Sequence, residues 1–315
     1  MTNMTAARLG QVNKAGDTKA LFIKESMAEI IAAYDETNVM DALHVTRTIE
    51  SGKSAGFPVT GKISARFHTP GEFLMGNQSL GANEIIIAVD DLLVSDAFIA
   101  NIDEAMSHVD YRSEYTRQIG QALARAKDRR ALQTALLAAR SPSIVTGMPG
   151  GSTIIAADAR TDGEVLAAAI SNAAVALDEK DVPMADRSAI FKPAQTHLLA
   201  MTPNVIHKDL GGDGSVSTGY IGSYDNVKVV KSNNVPTGVV GADAGEMNVY
   251  DGDFTNTVGV VMNRGAIGTV KLMDLSVEMT SGDFAVAYQG TLLVGKYLQG
   301  TGKLRADSAV EIAVA

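Results

Sequence analysis

The residues best placed to do chemistry are few. Gly52-Lys53-Ser54 is the ending of a phosphate-cradling loop, in which backbone N–H groups hold the phosphates and the lysine reaches them. That loop needs a glycine five positions before Gly52, and the residue there is Arg47. Gly302-Lys303 fails likewise, with Tyr297 in the glycine position and Leu304 after the lysine. Residues 211–215 (GGDGS) have the look of a calcium loop but lack the series of oxygen ligands ending in glutamate, so they read as a turn. His44, His68, His108, His197 and His207 are scattered, and no two have the spacing that holds a metal from one helix face. His108 with Asp110 is a nominal acid–base couple that reads as a solvated or inter-subunit face. The chain has no cysteine, which excludes disulfides, thiolate metal sites and a cysteine nucleophile. No catalytic residue, metal site or cofactor is expected.

The elements that would position any site are clearer. A helix is predicted over 95–140, with Ser95 as N-cap and Asp96, Asp103 and Glu104 near its positive end. Arg125, Lys127, Arg129, Arg130 and Arg140 crowd the other end. Ile99, Ile102, Met106, Val109, Ile119, Leu123 and Ala126 supply one buried stripe, so the segment reads as a spine. Midway, residues 110–117 alternate in charge sign, which suits pairs within the helix or reciprocal contacts with adjacent copies.

Ahead of the spine, residues 1–18 are polar and without period. Over 19–34, Ile23, Met27, Ile30, Ile31 and Tyr34 fall on one helical face, which packs on its own domain or docks on a neighbouring chain. Residues 38–50 alternate like a strand. Residues 52–90 predict a large hairpin with a rising arm at 59–67, a β-branched returning arm at 84–89 and a tip at 68–81. A two-stranded ribbon has too little core to stand alone in water, so it must lie on its own subunit or the next.

Beyond the spine come a short strand at 153–156 and a helix capped by Thr161 with Glu164 at its third position. A buried strand at 187–191, a proline-led helix at 193–201 and a strand at 226–232 complete an α/β lobe. Residues 211–222 are too glycine-rich for an element. Strands are predicted at 258–262, 269–279 and 284–297, with a closing strand at the end. Those from 258 onward are expected to pair outside the 160–250 lobe, against the spine.

Composition bounds the function. With 315 residues, 46% hydrophobic and 20% charged, the chain can bury a sizeable core. No apolar run approaches a membrane span, and the start lacks the apolar core of a signal peptide, so a cytosolic, non-membrane protein is expected. A net charge of -9 argues against a general nucleic-acid binder. With no tryptophan and 5% aromatics, aromatic cages and base-stacking platforms are not expected.

Six separated blocks, SGKSAGFPVTGK with HTPGE, VDYRSEYTRQIG, VPMADR, RGAIGTVKLMDLSVE and KYLQGTGKLRADSAV, occur in order along the chain. With them the sequence resembles the major capsid proteins of T-seven-like short-tailed phages, departing at 143–165 and 204–250. The resemblance implies an α+β, tailed-phage (Hong Kong 97-like) capsid fold. Its parts would be an N-terminal arm (1–50), an extended loop (51–91), a peripheral domain with the spine (92–159), an axial domain (160–250) and returning peripheral strands (251–315). It further implies pentamers and hexamers closing into an icosahedral virion shell around double-stranded DNA. The shell would be assembled in the host cytoplasm with a separate scaffolding protein and a portal protein.

On that reading Lys62, Arg66, Phe67, Glu72 and Phe73 of the loop and Arg112, Glu114 and Arg117 of the spine make inter-subunit contacts. Arg8, Lys14, Lys19 and Lys24 face DNA nonspecifically. Some relatives link a loop lysine to an asparagine, here Lys62 or Lys53 with Asn263, but noncovalent shells are expected in this branch. An encapsulin-type compartment shares the fold, and a small-oligomer α/β enzyme using the 143–160 and 211–222 loops is the alternative of another class.

Overall fold

The computed structural model describes residues 38–74, 76, 80–105, 111–145, 147–206, 214–215, 220–280 and 283–315. The expected leader and amphipathic helix, the DNA-facing candidates Arg8, Lys14, Lys19 and Lys24, the His108–Asp110 couple, His207 and most of the 211–222 loop lie outside those residues. In chain order the first elements are β1 (Val45–Thr48), β2 (Ser54–Thr60), β3 (Ala82–Ala88), β4 (Leu93–Ala100), α1 (Asn101–Ala105), α2 (Tyr111–Ala139) and β5 (Ser152–Ile155). Then come α3 (Gly163–Asp178), β6 (Arg187–Phe191), α4 (Pro193–Met201), α5 (Pro203–Ile206), β7 (Gly214–Ser215), β8 (Tyr220–Ile221), β9 (Ser223–Tyr224) and β10 (Val227–Lys231). The last are β11 (Val239–Val240), β12 (Gly252–Asp253), β13 (Thr257–Asn263), β14 (Ile267–Met279), α6 (Asp283–Tyr288), β15 (Gly290–Lys303) and β16 (Ala309–Ala313).

The chain divides into two compact units, and α2, β14 and β15 each run from one into the other. In the smaller unit β4 pairs antiparallel with β15, from Leu93 opposite Tyr297 to Ala100 opposite Gly290. Leu93, Ala97 and Ile99 share a face with Leu293 and Tyr297, and Ile119 and Leu123 of α2 close over it. Gly295 permits that approach, because a Cβ there would stand 2.3 Å from Ile119 Cγ2.

Two expectations are corrected here. The segment from Ser95 to Ala100 is a strand and not the first turns of the spine, and helix is described over Asn101–Ala105 and Tyr111–Ala139. Ala97, Phe98, Ile99 and Ala100 form a continuous apolar run, a pattern that fits a buried helix or a buried strand, and the partner strand β15 decides the outcome. Residues 284–297 are likewise not one strand: α6 ends at Tyr288, Gln289 turns the chain at φ 51°, and β15 starts at Gly290.

The larger unit is organised on a six-stranded sheet in the order β5-β16-β13-β6-β10-β9. β6 and β13 are buried on both faces, which requires central positions and explains their continuous apolar runs. On one face Ala189, Phe191, Val258, Val261, Val310 and Ile312 pack with α3 and α4. On the other, Ile190, Val260 and Met262 meet Leu132, Ala135 and Leu136 of α2. Of the strands from 258 onward, β13 therefore joins the 160–250 lobe, lying antiparallel between β6 and β16, whereas β14 and β15 pair outside it in a sheet with β1 and β4.

Smaller shifts have local causes. The cap of α3 is Asp162, whose carboxylate accepts from Glu164 N at 2.8 Å, while the Thr161 hydroxyl turns back to Asp158 O. The strand expected over 38–50 is shortened to β1 by a 3-10 turn at Met40–Ala42, and β1 pairs parallel with β14. The rising arm of the hairpin is β2, earlier than 59–67, in register with β3 from Ser54 opposite Ala88 to Thr60 opposite Ala82.

Candidate functional site

The hairpin of β2 and β3 has a fixed base and a bare tip. At the base Ala55 and Ile87 stand opposite each other and are buried. Gly302 and Gly300 let β15 approach: a Cβ on Gly302 would meet Ile87 Cγ1 at 2.8 Å, and one on Gly300 would fall on Ala88 O. Just past β3, buried Asp90 accepts from Met247 N (2.9 Å), Asn248 N (3.2 Å), Asn248 Nδ2 (2.9 Å) and the Tyr250 hydroxyl (2.6 Å). Tyr250 in turn accepts from Thr301 N at 2.8 Å, and the Arg130 guanidinium lies 5.5 Å from its ring centroid. Burial, then the neighbouring Asp90 charge, pushes the Tyr250 phenol above its ordinary range, so it remains a donor.

Residues 62–74 project from that base with every side chain exposed. Gly61 N donates to Gly81 O at 2.6 Å, closing the neck, and a turn at Thr69 to Glu72 with Gly71 at φ 94° forms the described part of the tip. Ile63, Phe67, Phe73 and Leu74 are large apolar side chains, all exposed on this stretch. The expectation that the ribbon cannot stand alone is met in part by its own chain, at the base, and not at the tip.

The sequence-derived contact residues are distributed unevenly. Arg66, Phe67, Glu72 and Phe73 are exposed, and Arg66 and Glu72 make no side-chain ion pair or hydrogen bond among the described residues. Lys62 pairs with Asp181 of its own chain, which lowers the Asp181 carboxyl below its usual range through the hydrogen bond and then the charge; both groups are exposed. On α2, Glu114 accepts from Arg117 Nη2 (2.8 Å) and Nε (3.1 Å) and from Gln118 Nε2 (3.0 Å). Those hydrogen bonds, Arg117 first, hold the Glu114 carboxyl below its ordinary value. Arg112 reaches Thr291 Oγ1 at 3.4 Å.

Several residues that shape the site carried no signal in the sequence. Asp128, buried on α2, accepts from Val39 N (3.0 Å), Met40 N (2.8 Å) and Asn234 Nδ2 (2.8 Å), tying the backbone at Val39 and Met40 to the helix. Arg140 closes α2 on buried Glu311 with two 2.6 Å contacts and lies over Phe254. Gly52-Lys53-Ser54-Ala55-Gly56 also spells a Gly-x-Ser-x-Gly elbow, but Ser54 opens β2 opposite Ala88 and no helix follows it. His44 is buried between Met40 O (2.5 Å) and Thr269 Oγ1 (2.8 Å), a structural role. Among the described residues no cluster of carboxylates or histidines is arranged to hold a metal, and no helix is long and apolar enough to cross a membrane.

A projecting loop on a pinned base, a long helix and a two-faced sheet have counterparts among known proteins. The sequence is 33% identical to the major capsid protein of Escherichia phage T7 over 322 residues, 94% of this chain and 92% of that protein. A subunit of the cyanophage P-SCSP1u capsid matches at 40% identity and a TM-score of 0.85, over 100% of this chain and 99% of its own. The mature capsid of bacteriophage PhiM1, at 18% identity and a TM-score of 0.76 over 98% and 97% of the two chains, shares the fold. The fold is thus that of tailed-phage capsid subunits, whose role is structural. With the Gp10A-like major capsid protein model matching residues 56–313, from the middle of β2 to the end of β16, the chain belongs to that family.

Proposed function

We propose that the chain is the shell-forming subunit of a tailed phage, and that its copies join as pentamers and hexamers into an icosahedral shell enclosing double-stranded DNA. The observation that carries this reading is the bare apolar tip at Ile63, Phe67, Phe73 and Leu74 on a hairpin whose base is locked to its own chain. Such a tip is stabilised when it lies on the next copy, and many such contacts sum in a closed shell. In this reading 51–91 is the extended loop, α2 the spine, and the six-stranded sheet with α3 and α4 the axial domain at the capsomer centre. β16 and β13 go with that sheet. Arg66, Phe67, Glu72 and Phe73 are the contact residues of the loop, joined by Lys62 once it leaves Asp181, and Arg112, Glu114 and Arg117 are those of the spine. A scaffolding protein directs assembly in the host cytoplasm, a portal protein occupies one vertex, and Arg8, Lys14, Lys19 and Lys24 meet DNA nonspecifically.

The shell is noncovalent. Asn263 supports this, since its Oδ1 accepts from Gly265 N at 3.0 Å and its Nδ2 donates to Ala185 O at 2.7 Å, leaving the amide occupied. Electron microscopy of the expressed chain, with and without co-expressed scaffold, tests the function: closed shells are expected, and small discrete oligomers under both conditions would overturn it. DNA rather than enzyme cargo in native particles separates this reading from an encapsulin compartment. A ladder of covalent multimers after boiling in detergent would refute the noncovalent shell.

A further inference from the structure

Side chains of residues 246–250 point alternately inward and outward. Glu246 turns in to Arg130 at 3.4 Å, Asn248 Nδ2 donates to Ala88 O at 2.7 Å, and the Tyr250 hydroxyl donates to Asp90 at 2.6 Å. The residues between them, Met247 and Val249, are left 59% and 63% exposed. The backbone is not free to turn them in, since Met247 N and Asn248 N are both held by the Asp90 carboxylate. The outcome is a pinned apolar ridge beside the base of the hairpin. Its segment is acidic: residues 239–253 hold Asp243, Glu246, Asp251 and Asp253 and no lysine or arginine. Arg130 answers Glu246, and Asp253 accepts from Thr255 N at 2.9 Å. Asp243 and Asp251 are exposed and make no ion pair among the described residues.

The tip of the hairpin has the matching character. Ile63, Phe67, Phe73 and Leu74 are exposed there, with Lys62 and Arg66 against the single carboxylate of Glu72. An apolar ridge among acids and an apolar tip with a basic excess are complementary. Reach keeps them apart within one chain. The seven residues of β2 carry the neck about 23 Å from the base, and Phe67, six residues beyond Gly61, could double back about 20 Å only if fully extended. We propose that Met247 and Val249 are the seat for the loop tip of a second copy, with Phe67 and Phe73 laid on the ridge and Arg66 facing Asp243 and Asp251. Methionine suits the role, because its polarisable sulfur adapts to an aromatic ring. Seat and tip occupy opposite ends of one hairpin, so each copy gives one tip and receives one. That is a head-to-tail contact, which closes into a ring when the rotation between copies allows it. The inference names the receiving surface for the shell-forming role proposed above and rests on that reading.

The chain has no cysteine, so a thiol pair reports the contact directly. Phe67→Cys and Phe73→Cys are each combined with Met247→Cys and with Val249→Cys in the full-length chain. The variants are oxidised under assembly conditions with light scattering recorded in parallel, then run on a non-reducing gel. At least one double variant should convert most of the protein into a ladder ending at pentamer and hexamer, while the single variants stop at dimer. Fast-migrating monomer in place of the ladder would show that the chain covers its own ridge, and unlinked monomer from particles that scatter normally would show that the tip rests elsewhere. Either result overturns the seat and leaves the shell standing. A ladder without particles would keep the seat and overturn the shell, and neither ladder nor particles, in the parent as in the variants, would overturn both. As an independent measure, Met247→Ser with Val249→Ser should lower particle yield about tenfold with protection at Val89 N unchanged. A normal yield, or a yield lost only together with that protection, would count against the seat.

Discussion

Replacing Tyr250 by phenylalanine keeps the ring beneath Arg130 and removes only the hydroxyl that locks the hairpin base. That oxygen donates to Asp90 at 2.6 Å and accepts from Thr301 N at 2.8 Å, in a side chain that is 2% exposed. A hydrogen bond to a charged acceptor contributes about 1.5–3 kcal/mol, and a buried amide left without a partner costs about 1–3 kcal/mol. Met247 and Asn248 keep three donors on Oδ1 of Asp90, while Oδ2 loses the tyrosine hydroxyl. The expected loss is about 3 kcal/mol, or roughly two orders of magnitude in the opening equilibrium of the base. Hydrogen exchange reads that opening locally. Protection at Val89 N, which donates to Lys53 O, and along β2 and β3 should fall by about that factor, while the exposed 62–74 tip exchanges as before. Because burial raises the phenol above its usual value, the effect should be constant from about pH 6 to pH 9. Unchanged protection, or a loss below about 1 kcal/mol, would refute the claim that this network holds the loop.

Glu311→Ala leaves Arg140 and the Thr257 hydroxyl without their shared acceptor in the larger unit, and urea unfolding should show a loss of about 3 kcal/mol; a change under 1 kcal/mol would contradict the assignment. The folded-state pKa of Glu114 is depressed, so the stabilisation from Arg117 and Gln118 is present above its ordinary value of 4.5 and disappears as pH falls through the lower folded value. Because the pair is partly solvated, Glu114→Gln should cost only about 0.5 kcal/mol at pH 7 and progressively less as pH falls below 4.5, and a difference that does not shrink with acidification would disprove the linkage. The double variant Phe67→Ser, Phe73→Ser should leave subunit unfolding within about 0.5 kcal/mol of the parent and lower shell yield by light scattering, whereas normal yield would remove these two residues from the interface.

The sequence by itself determined what depends on local pattern and on what is absent. The lack of cysteine and of any complete phosphate or metal motif set aside those enzyme chemistries before any fold was known. Strand β6, helix α4 with its leading proline, the returning arm of the hairpin and β13 were legible, because a continuous apolar run, a proline at a helix start and a β-branched series each act on their own backbone. The ordered blocks from Ser51 to Val310 carried the family, since several separated motifs in one order constrain more than any single motif.

Only the tertiary structure decided where a pattern was compatible with two outcomes. Residues 95–100 satisfy both a helix and a strand, and the pairing of β4 with β15 chose the strand. The sheet order was equally invisible, because β13 finds β6, and β16 finds β13 and β5, the last across more than a hundred residues of chain, through burial on two faces. Asp90, Asp128 and Glu311 look like surface carboxylates in the sequence. Each is buried because donors from distant segments converge on it, and hydrogen bonds between residues remote in the chain leave no periodicity to read.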